Sequence, residues 1–142
     1  MLQILSWNCW GFPWNKGPML IWISNDVDII LLVETSEHKE SKVPYIDLFT
    51  LWSTCNKRSS RRGIGGIAYY IKKNISPHAR IYKNDPYNQY SWIEITDIND
   101  KKTYIEICYF TPINSNFYKK KSLDKNSPYN GLENDISSLR NE

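Results

Sequence analysis

Two polar residues, Asn8 and Glu34, each follow an apolar stretch of the kind that forms a buried strand. The first stretch is LQILSW at residues 2–7, and the second is DIILLV at residues 28–33. A carboxylate beside an amide suits a hard cation such as Mg²⁺, which takes oxygen ligands and often uses only one or two protein carboxylates. The two residues are therefore candidates for a metal site if the fold brings them together.

Each residue also has a simpler interpretation. Asn8 could be a turn residue whose side chain bonds its own backbone, as Asn commonly does where a strand gives way to a loop. Glu34 could be a solvated loop residue, although the apolar run before it disfavours that reading. The elements that position the two residues distinguish these possibilities.

The elements around these residues predict a strand–helix–strand unit. We predict a strand at 2–8, a loop at 11–17, a short helix at 18–25 and a strand at 28–34. The second strand is apolar on both faces, which is typical of a parallel sheet. A crossover of this length joins parallel strands and is right-handed, so both strands end on one edge of the sheet.

That edge is where open α/β sheets place their ligands. We therefore expect the Asn8 amide to lie within hydrogen-bond reach of the Glu34 carboxylate, or to share a small polar pocket with it. The carboxylate would then be oriented without a second charge, and lone pairs would remain for a metal ion.

The remainder of the chain predicts an α/β fold with mixed sheets and flanking helices. We predict strands at 46–53, 64–73, 79–84, 90–97 and 103–110, a polar loop at 111–131 and a helix at 132–141. The strands at 90–97 and 103–110 both alternate and are joined by a short turn, which predicts an antiparallel hairpin.

Composition limits the cellular setting and the partners. The net charge of +3 permits a polyanionic partner without demanding one. Three widely spaced cysteines without metal-binding spacing indicate reduced core thiols and an intracellular location. The longest apolar run, IILLV, is too short to cross a bilayer, so no membrane partner is expected. Basic stretches at 56–62 and 118–122 are solvated loops or, in a nucleic-acid-binding fold, phosphate contacts.

Four motifs occur in the order ILSWNCWG, DIILLVET, RRGIGGIAYYIKK and ICYFTPINS. Together they resemble the N-terminal motifs of the endonuclease/exonuclease/phosphatase superfamily, whose members are DNase I-like. The SWNCWG opening and the CYFTPINS stretch look most like the endonuclease domains of plant LINE-type retrotransposons. The similarity covers nearly the whole chain and implies the N-terminal portion of a four-layer α/β sandwich, with two sheets face to face and helices outside.

The resemblance also implies an activity and a set of site residues. The family cleaves phosphoester bonds with a divalent metal, so the complete domain is expected to use Mg²⁺ or Mn²⁺ and to act on nucleic acid, DNA first. Glu34 matches the metal-ligand Glu, and Asn8 matches the Asn that orders the metal site. Tyr109 matches the Tyr of the YxP motif near the scissile phosphate, although the order YFTP leaves Phe110 as an alternative. Asn114 matches the Asn that often follows the Pro.

The sequence departs from the family pattern in two ways. AP endonucleases place an acidic residue two positions after the first Asn, where this chain has Trp10, which argues against AP-site repair. The family also needs a GDxN motif and an Asp-His pair, and neither occurs in the 142 residues. The two histidines, His38 and His78, do not follow an Asp, and the DKN at 124–126 is read as chance because it lies in a polar loop.

These observations lead to one main interpretation and two alternatives. Residues 1–142 are interpreted as a partial domain of a nuclease-type phosphodiesterase, inactive alone, in an intracellular setting that includes the nucleus. The first alternative is a non-catalytic relic or nucleic-acid-binding module, and the second is a phosphatase of the same fold that acts on a small phosphoester. The sequence leaves the oligomeric state open.

Overall fold

The computed structural model describes residues 1–11, 16–35, 44–56, 64–121, 123–124 and 126–140. The chain divides into two compact units, Met1–Tyr109 and Phe110–Glu142. The elements are β1 (Ile4–Asn8), α1 (Gly17–Ile23), β2 (Ile29–Val33), β3 (Phe49–Asn56), β4 (Ile64–Lys72), a 3₁₀ turn (Ser76–His78), β5 (Ala79–Asn84), β6 (Tyr90–Thr96), β7 (Lys102–Cys108), α2 (Asn116–Lys121) and α3 (Ser127–Leu139).

The first sheet contains the predicted strand–helix–strand unit. Its strand order is β1-β2-β4-β3, with β1 and β2 parallel and the other pairs antiparallel. Helix α1 begins with Pro18 in its first turn, where the missing N–H leaves no hydrogen bond unmade. Leu20 of α1 packs against Ile30 and Leu32 of β2, so the helix covers one face of this sheet.

The second sheet packs on the other face of the first. Its order is β5-β6-β7, with antiparallel pairs that include the predicted hairpin of β6 and β7. The core between the sheets is made of aliphatic side chains and Tyr69, contributed by β2, β4, β6 and β7. The hydroxyl of Tyr69 donates to the backbone oxygen of Ser91 at 2.8 Å and links β4 to β6. A mixed α/β architecture with two facing sheets and flanking helices is thereby confirmed.

Strand β1 extends beyond the cover of the second sheet. Ile4, Ser6 and Asn8 pair in register with Ile29, Leu31 and Val33, so both sets point to the same face of the sheet. Ile29 and Leu31 are buried there, whereas Ile4 is 44% exposed and the other two β1 residues are also exposed. The described residues therefore leave the inner face of β1 open to solvent.

The second unit differs from the sequence-based prediction. The segment 111–131 was predicted as a polar loop, but it contains α2 and the start of α3. Local hydrogen bonds explain the first difference: Ser115 Oγ accepts from the backbone N–H of Phe117 at 3.1 Å, and the Tyr118 hydroxyl donates to the Thr111 oxygen at 2.9 Å. Pro128 lies in the first turn of α3, which starts that helix earlier than its apolar spacing indicated.

Two further predictions concerned the burial of the cysteines and the presence of a membrane-spanning segment. Cys9 is a buried free thiol, but Cys108 is exposed, so the prediction of core thiols is wrong for Cys108. That residue is the last of β7, which lies at the edge of its sheet. Within the described part of the chain, no helix is long and apolar enough to cross a membrane.

Candidate functional site

Asn8 is the last residue of β1 and lies beside the end of β2. It pairs in register with Val33, whose side chain packs against the core between the sheets. Trp7 packs on the helix-covered side, so strand alternation places Asn8 on the side of the second sheet. Asn8 Oδ1 accepts a hydrogen bond from the backbone N–H of Trp10 at 3.1 Å, as in the simpler turn interpretation.

Glu34 follows β2 directly and leaves the strand conformation. Its φ is 57°, in the left-handed region that side-chain-bearing residues rarely adopt. The backbone around it is tied to the loop after β1: Cys9 N–H donates to the Val33 oxygen at 3.1 Å, and Gly11 N–H donates to the Glu34 oxygen at 2.5 Å. The two strand ends are therefore held together by backbone hydrogen bonds beyond the ladder.

Tyr109 follows β7 and meets Glu34 from the second sheet. Its backbone N–H donates to the Gln89 oxygen at 2.7 Å, which fixes its place after the strand. Its hydroxyl lies beside the Glu34 carboxylate: burial, and after it the hydrogen bonding and the charge of that carboxylate, raise the Tyr109 pKa to about 12. The ring lies against Gly65, where a Cβ would be 3.6 Å from Tyr109 Cδ1.

The structure brings together Glu34 and Tyr109 more directly than Asn8 and Glu34. Within the described residues, Asn8 and Glu34 form no direct hydrogen bond, which was one of the two arrangements expected for them. The left-handed backbone at Glu34 breaks the strand alternation, and its carboxylate engages the Tyr109 hydroxyl instead. Asn8 remains at the edge of the sheet where β2 ends, and its side chain is on the same face as that of its partner Val33.

The other sequence candidates lie elsewhere. The ring of Phe110 lies 4.4 Å from the ring of Tyr129, within the second unit, so Tyr109 is the aromatic residue that meets Glu34. Asn114 is exposed in that unit. His78 belongs to the 3₁₀ turn before β5, whereas His38 lies outside the described residues, as do residues 57–62 of the basic stretch 56–62. In the second basic stretch, Lys119 is exposed.

Lys16 is a contributor that the sequence did not reveal. Its ammonium group donates to the backbone oxygen of Cys9 and, at 3.5 Å, to that of Gly11. The same group lies 5.4 Å from the centre of the Trp7 ring, which is within cation–π range. A lysine in a loop carries no sequence signal for this role, because the contacts arise only when the loop turns back.

The donor set at this edge suits a hard divalent cation. Glu34 supplies a carboxylate, and the amide oxygen of Asn8 has a second lone pair beyond the one used by Trp10 N–H. Mg²⁺ often binds through one or two carboxylates and leaves its other positions to water and substrate phosphates. Among the described residues, no three or more His, Cys, Asp or Glu side chains lie together so that they could hold a metal ion, so any metal site at this edge would be of this sparse kind.

Comparisons with known proteins bear on the fold. The structure is similar to an AP endonuclease, LMAP from Leishmania major, with a TM-score of 0.64 and 13% identity over 84% of this chain and 43% of that one. It is also similar to the APE2 catalytic domain of Xenopus laevis, with a TM-score of 0.54 and 19% identity over 85% of this chain and 49% of that one. The chain therefore has a DNase I-like fold and spans less than half the length of these structures.

The other two comparisons add no assignment. No protein-family model matches the sequence, and no curated protein matches it. At 13% and 19% identity, the structural similarity shows the fold alone. The chemistry has to be argued from the residues of this chain.

Proposed function

We propose that residues 1–142 are the N-terminal part of a metal-dependent phosphodiesterase of the nuclease type, inactive by itself. The observation that carries the proposal is the approach of the Tyr109 hydroxyl to the Glu34 carboxylate at the carboxyl ends of β7 and β2. It is supported by the DNase I-like fold, which the chain shares with two AP endonuclease structures.

Glu34 is the proposed metal ligand, and Asn8 and Tyr109 are its proposed supporting residues. A bound Mg²⁺ or Mn²⁺ would polarise a phosphoryl oxygen and stabilise charge on the leaving oxygen. The Tyr109 hydroxyl keeps its proton at neutral pH, as an ordinary tyrosine does, and its raised pKa of about 12 extends this to more alkaline pH, so it stays a possible donor to the carboxylate. The side-chain oxygen of Asn8 accepts a hydrogen bond from the Trp10 N–H, which fixes the end of β1 next to Glu34.

The proposed substrate is nucleic acid, with DNA first, and the proposed setting is intracellular, including the nucleus. The SWNCWG and CYFTPINS stretches support a relation to retrotransposon endonucleases. Trp10 stands where AP endonucleases carry an acidic residue, which argues against AP-site repair in spite of the shared fold. The groups that activate water are proposed to come from a part of the domain beyond these residues, since the chain contains neither GDxN nor an Asp-His pair.

Metal binding tests this proposal without requiring activity. We expect the chain to bind Mn²⁺, seen as loss of the free-ion signal in electron paramagnetic resonance. Glu34→Gln should weaken binding at least tenfold, because it removes the carboxylate charge. Glu133→Gln is the matched control, since that carboxylate is exposed on α3. Equal Mn²⁺ binding by Glu34→Gln and the parent chain would overturn the assignment, and binding of DNA without any metal dependence would favour the alternative of a non-catalytic binding module.

A further inference from the structure

Trp10 is a large aromatic residue that is exposed to solvent at the edge of the first sheet where Glu34 also lies. Its side chain is 79% exposed, although burial of an indole is a strong stabilising force. Its φ is 45°, in the left-handed region that a bulky residue seldom occupies. An exposed indole on an unfavourable backbone conformation indicates that something other than packing fixes its position.

The loop around Trp10 is fixed by hydrogen bonds from three directions. The backbone N–H of Trp10 is bonded to Asn8 Oδ1 at 3.1 Å, and the next N–H, of Gly11, is bonded to the Glu34 oxygen at 2.5 Å. The Lys16 ammonium group donates to the carbonyl oxygens of Cys9 and Gly11, the residues on either side. The indole is therefore presented by a preorganised loop attached to both proposed site residues.

We propose that Trp10 stacks on an unpaired nucleobase of the nucleotide next to the phosphodiester at Glu34. An aromatic side chain binds any base through its π face, so such contacts are tolerant of sequence. A base inside a duplex already has both faces covered, so the contact requires a single-stranded or locally unpaired substrate. The inference rests on the proposed function and narrows its substrate to nucleic acid with accessible bases.

Two oligomers of equal length and charge isolate the contribution of the base. One is a fluorescently labelled single-stranded deoxyoligonucleotide, and the other is the same deoxyribose-phosphate chain without bases. Binding is measured by anisotropy with Ca²⁺ in place of Mg²⁺ for the parent chain, Trp10→Ala, Trp10→Phe, Trp10→Gly and Trp22→Ala. Trp22 is the matched control, because it is 75% exposed but lies near the end of α1, before β2 begins.

We expect Trp10→Ala and Trp10→Gly to weaken binding of the base-containing oligomer by roughly 5- to 100-fold, the range found for removal of a stacking residue. Trp10→Phe should retain most of the affinity, Trp22→Ala should equal the parent, and all variants should bind the baseless oligomer equally. Trp10→Gly relieves the left-handed backbone, so its melting temperature should not fall even though its binding does.

Four outcomes overturn the inference. Equal weakening by Trp10→Ala and Trp22→Ala would show a general effect of losing an indole. Weaker binding of the baseless oligomer by Trp10→Ala would assign Trp10 to the loop structure or to phosphate contact. Unchanged binding of the base-containing oligomer by Trp10→Ala would reject stacking while leaving the nuclease proposal in place. If the parent chain binds neither oligomer, the nucleic-acid substrate itself is rejected, and the stacking role falls with it.

Discussion

The Tyr109 hydroxyl lies beside the Glu34 carboxylate, and this approach brings the end of β7 in one sheet to the end of β2 in the other. The tyrosine ring lies against Gly65, where a Cβ would make an ordinary contact at 3.6 Å from the ring. The backbone of Gly65, with φ at 67°, is the feature that favours glycine at this position.

Removal of the hydroxyl should loosen the proposed metal site without unfolding the chain. Tyr109→Phe keeps the ring against Gly65 but leaves the Glu34 carboxylate without its donor. Loss of such an outer partner of a metal ligand typically weakens metal affinity by about 10- to 100-fold. We expect a decrease of that size in Mn²⁺ affinity, measured by electron paramagnetic resonance, with an unchanged circular dichroism spectrum.

Phe110→Leu is the control for that prediction. Its ring packs on Tyr129 in the second unit, so its loss should leave Mn²⁺ affinity unchanged. If Phe110→Leu weakens metal binding and Tyr109→Phe does not, the alternative match of Phe110 to the family tyrosine is the correct one.

The loss of folding stability at acidic pH should depend on Glu94. The Arg80 guanidinium bonds this carboxylate at 2.8 and 2.9 Å and lowers its pKa to about 2, with additional help from Tyr104 and Lys102. Because the folded-state pKa lies below the ordinary 4.5, the stabilisation is complete above that pH and is lost as the pH falls towards 2.

Glu94→Gln should remove this pH dependence. We expect about 1–2 kcal/mol less stability at pH 7, since Arg80 is 61% exposed and solvent screens the pair. Between pH 4.5 and 2, urea denaturation should show a smaller fall for the variant than for the parent. Glu133→Gln, on α3, should keep the parental slope, and a parental slope in Glu94→Gln would show that other carboxylates control acid unfolding.

The chain alone should not cleave DNA. Glu34 can hold a metal in the proposed site, but the residues contain no Asp-His pair or GDxN motif to complete it. We therefore expect purified 1–142 to leave supercoiled plasmid intact with Mg²⁺ above the background of a mock preparation. Cleavage that copurifies with the chain and disappears in Glu34→Gln would refute the interpretation as a partial domain.

The open face of β1 should bind hydrophobic dyes. Ile4 is 44% exposed on a face that is buried in the neighbouring strand, and an edge strand with exposed apolar groups favours association. We expect the isolated chain to bind ANS, and Ile4→Lys to bind it several-fold less. Ile98→Lys is the matched control, because that residue is 96% exposed in the turn between β6 and β7.

A different result would count against the partial-domain interpretation. A monodisperse monomer that unfolds sharply and binds no dye would mean that the inner face of β1 needs no cover. In that case Ile4→Lys would behave like Ile98→Lys.

The sequence predicted the parallel β1–β2 pair of the first sheet because local patterns determine it, whereas the pairing of β4 and β3 in that sheet was not predicted. The apolar run at 28–34 and the short crossover were sufficient to pair β1 with β2 in parallel, and with them to place Asn8 and Glu34 at one edge. The approach of Tyr109 came only from the family resemblance, since it depends on how two sheets pack, which no local pattern encodes. The roles of the three residues remain predictions.

Other features were beyond a reading of local patterns. The left-handed backbone at Glu34 redirects a side chain that alternation alone would place differently. Helix α2 is short, and its capping by Ser115 gives a weaker signal than the surrounding lysines and asparagines. The Lys16 contacts join residues of a turning loop whose path the sequence does not specify.

At position 34, the residue that would be best for stability differs from the residue that the proposed metal site needs. At φ 57°, an L residue is strained by roughly 1–2 kcal/mol, whereas Gly occupies this region freely and Asn does so more readily than Glu. Glu34→Gly should therefore raise the melting temperature while it abolishes the proposed metal ligand. A library of variants screened for heat resistance alone would therefore enrich Gly and Asn at position 34. Its most heat-resistant variants would lack the Glu34 carboxylate and with it the proposed metal ligand.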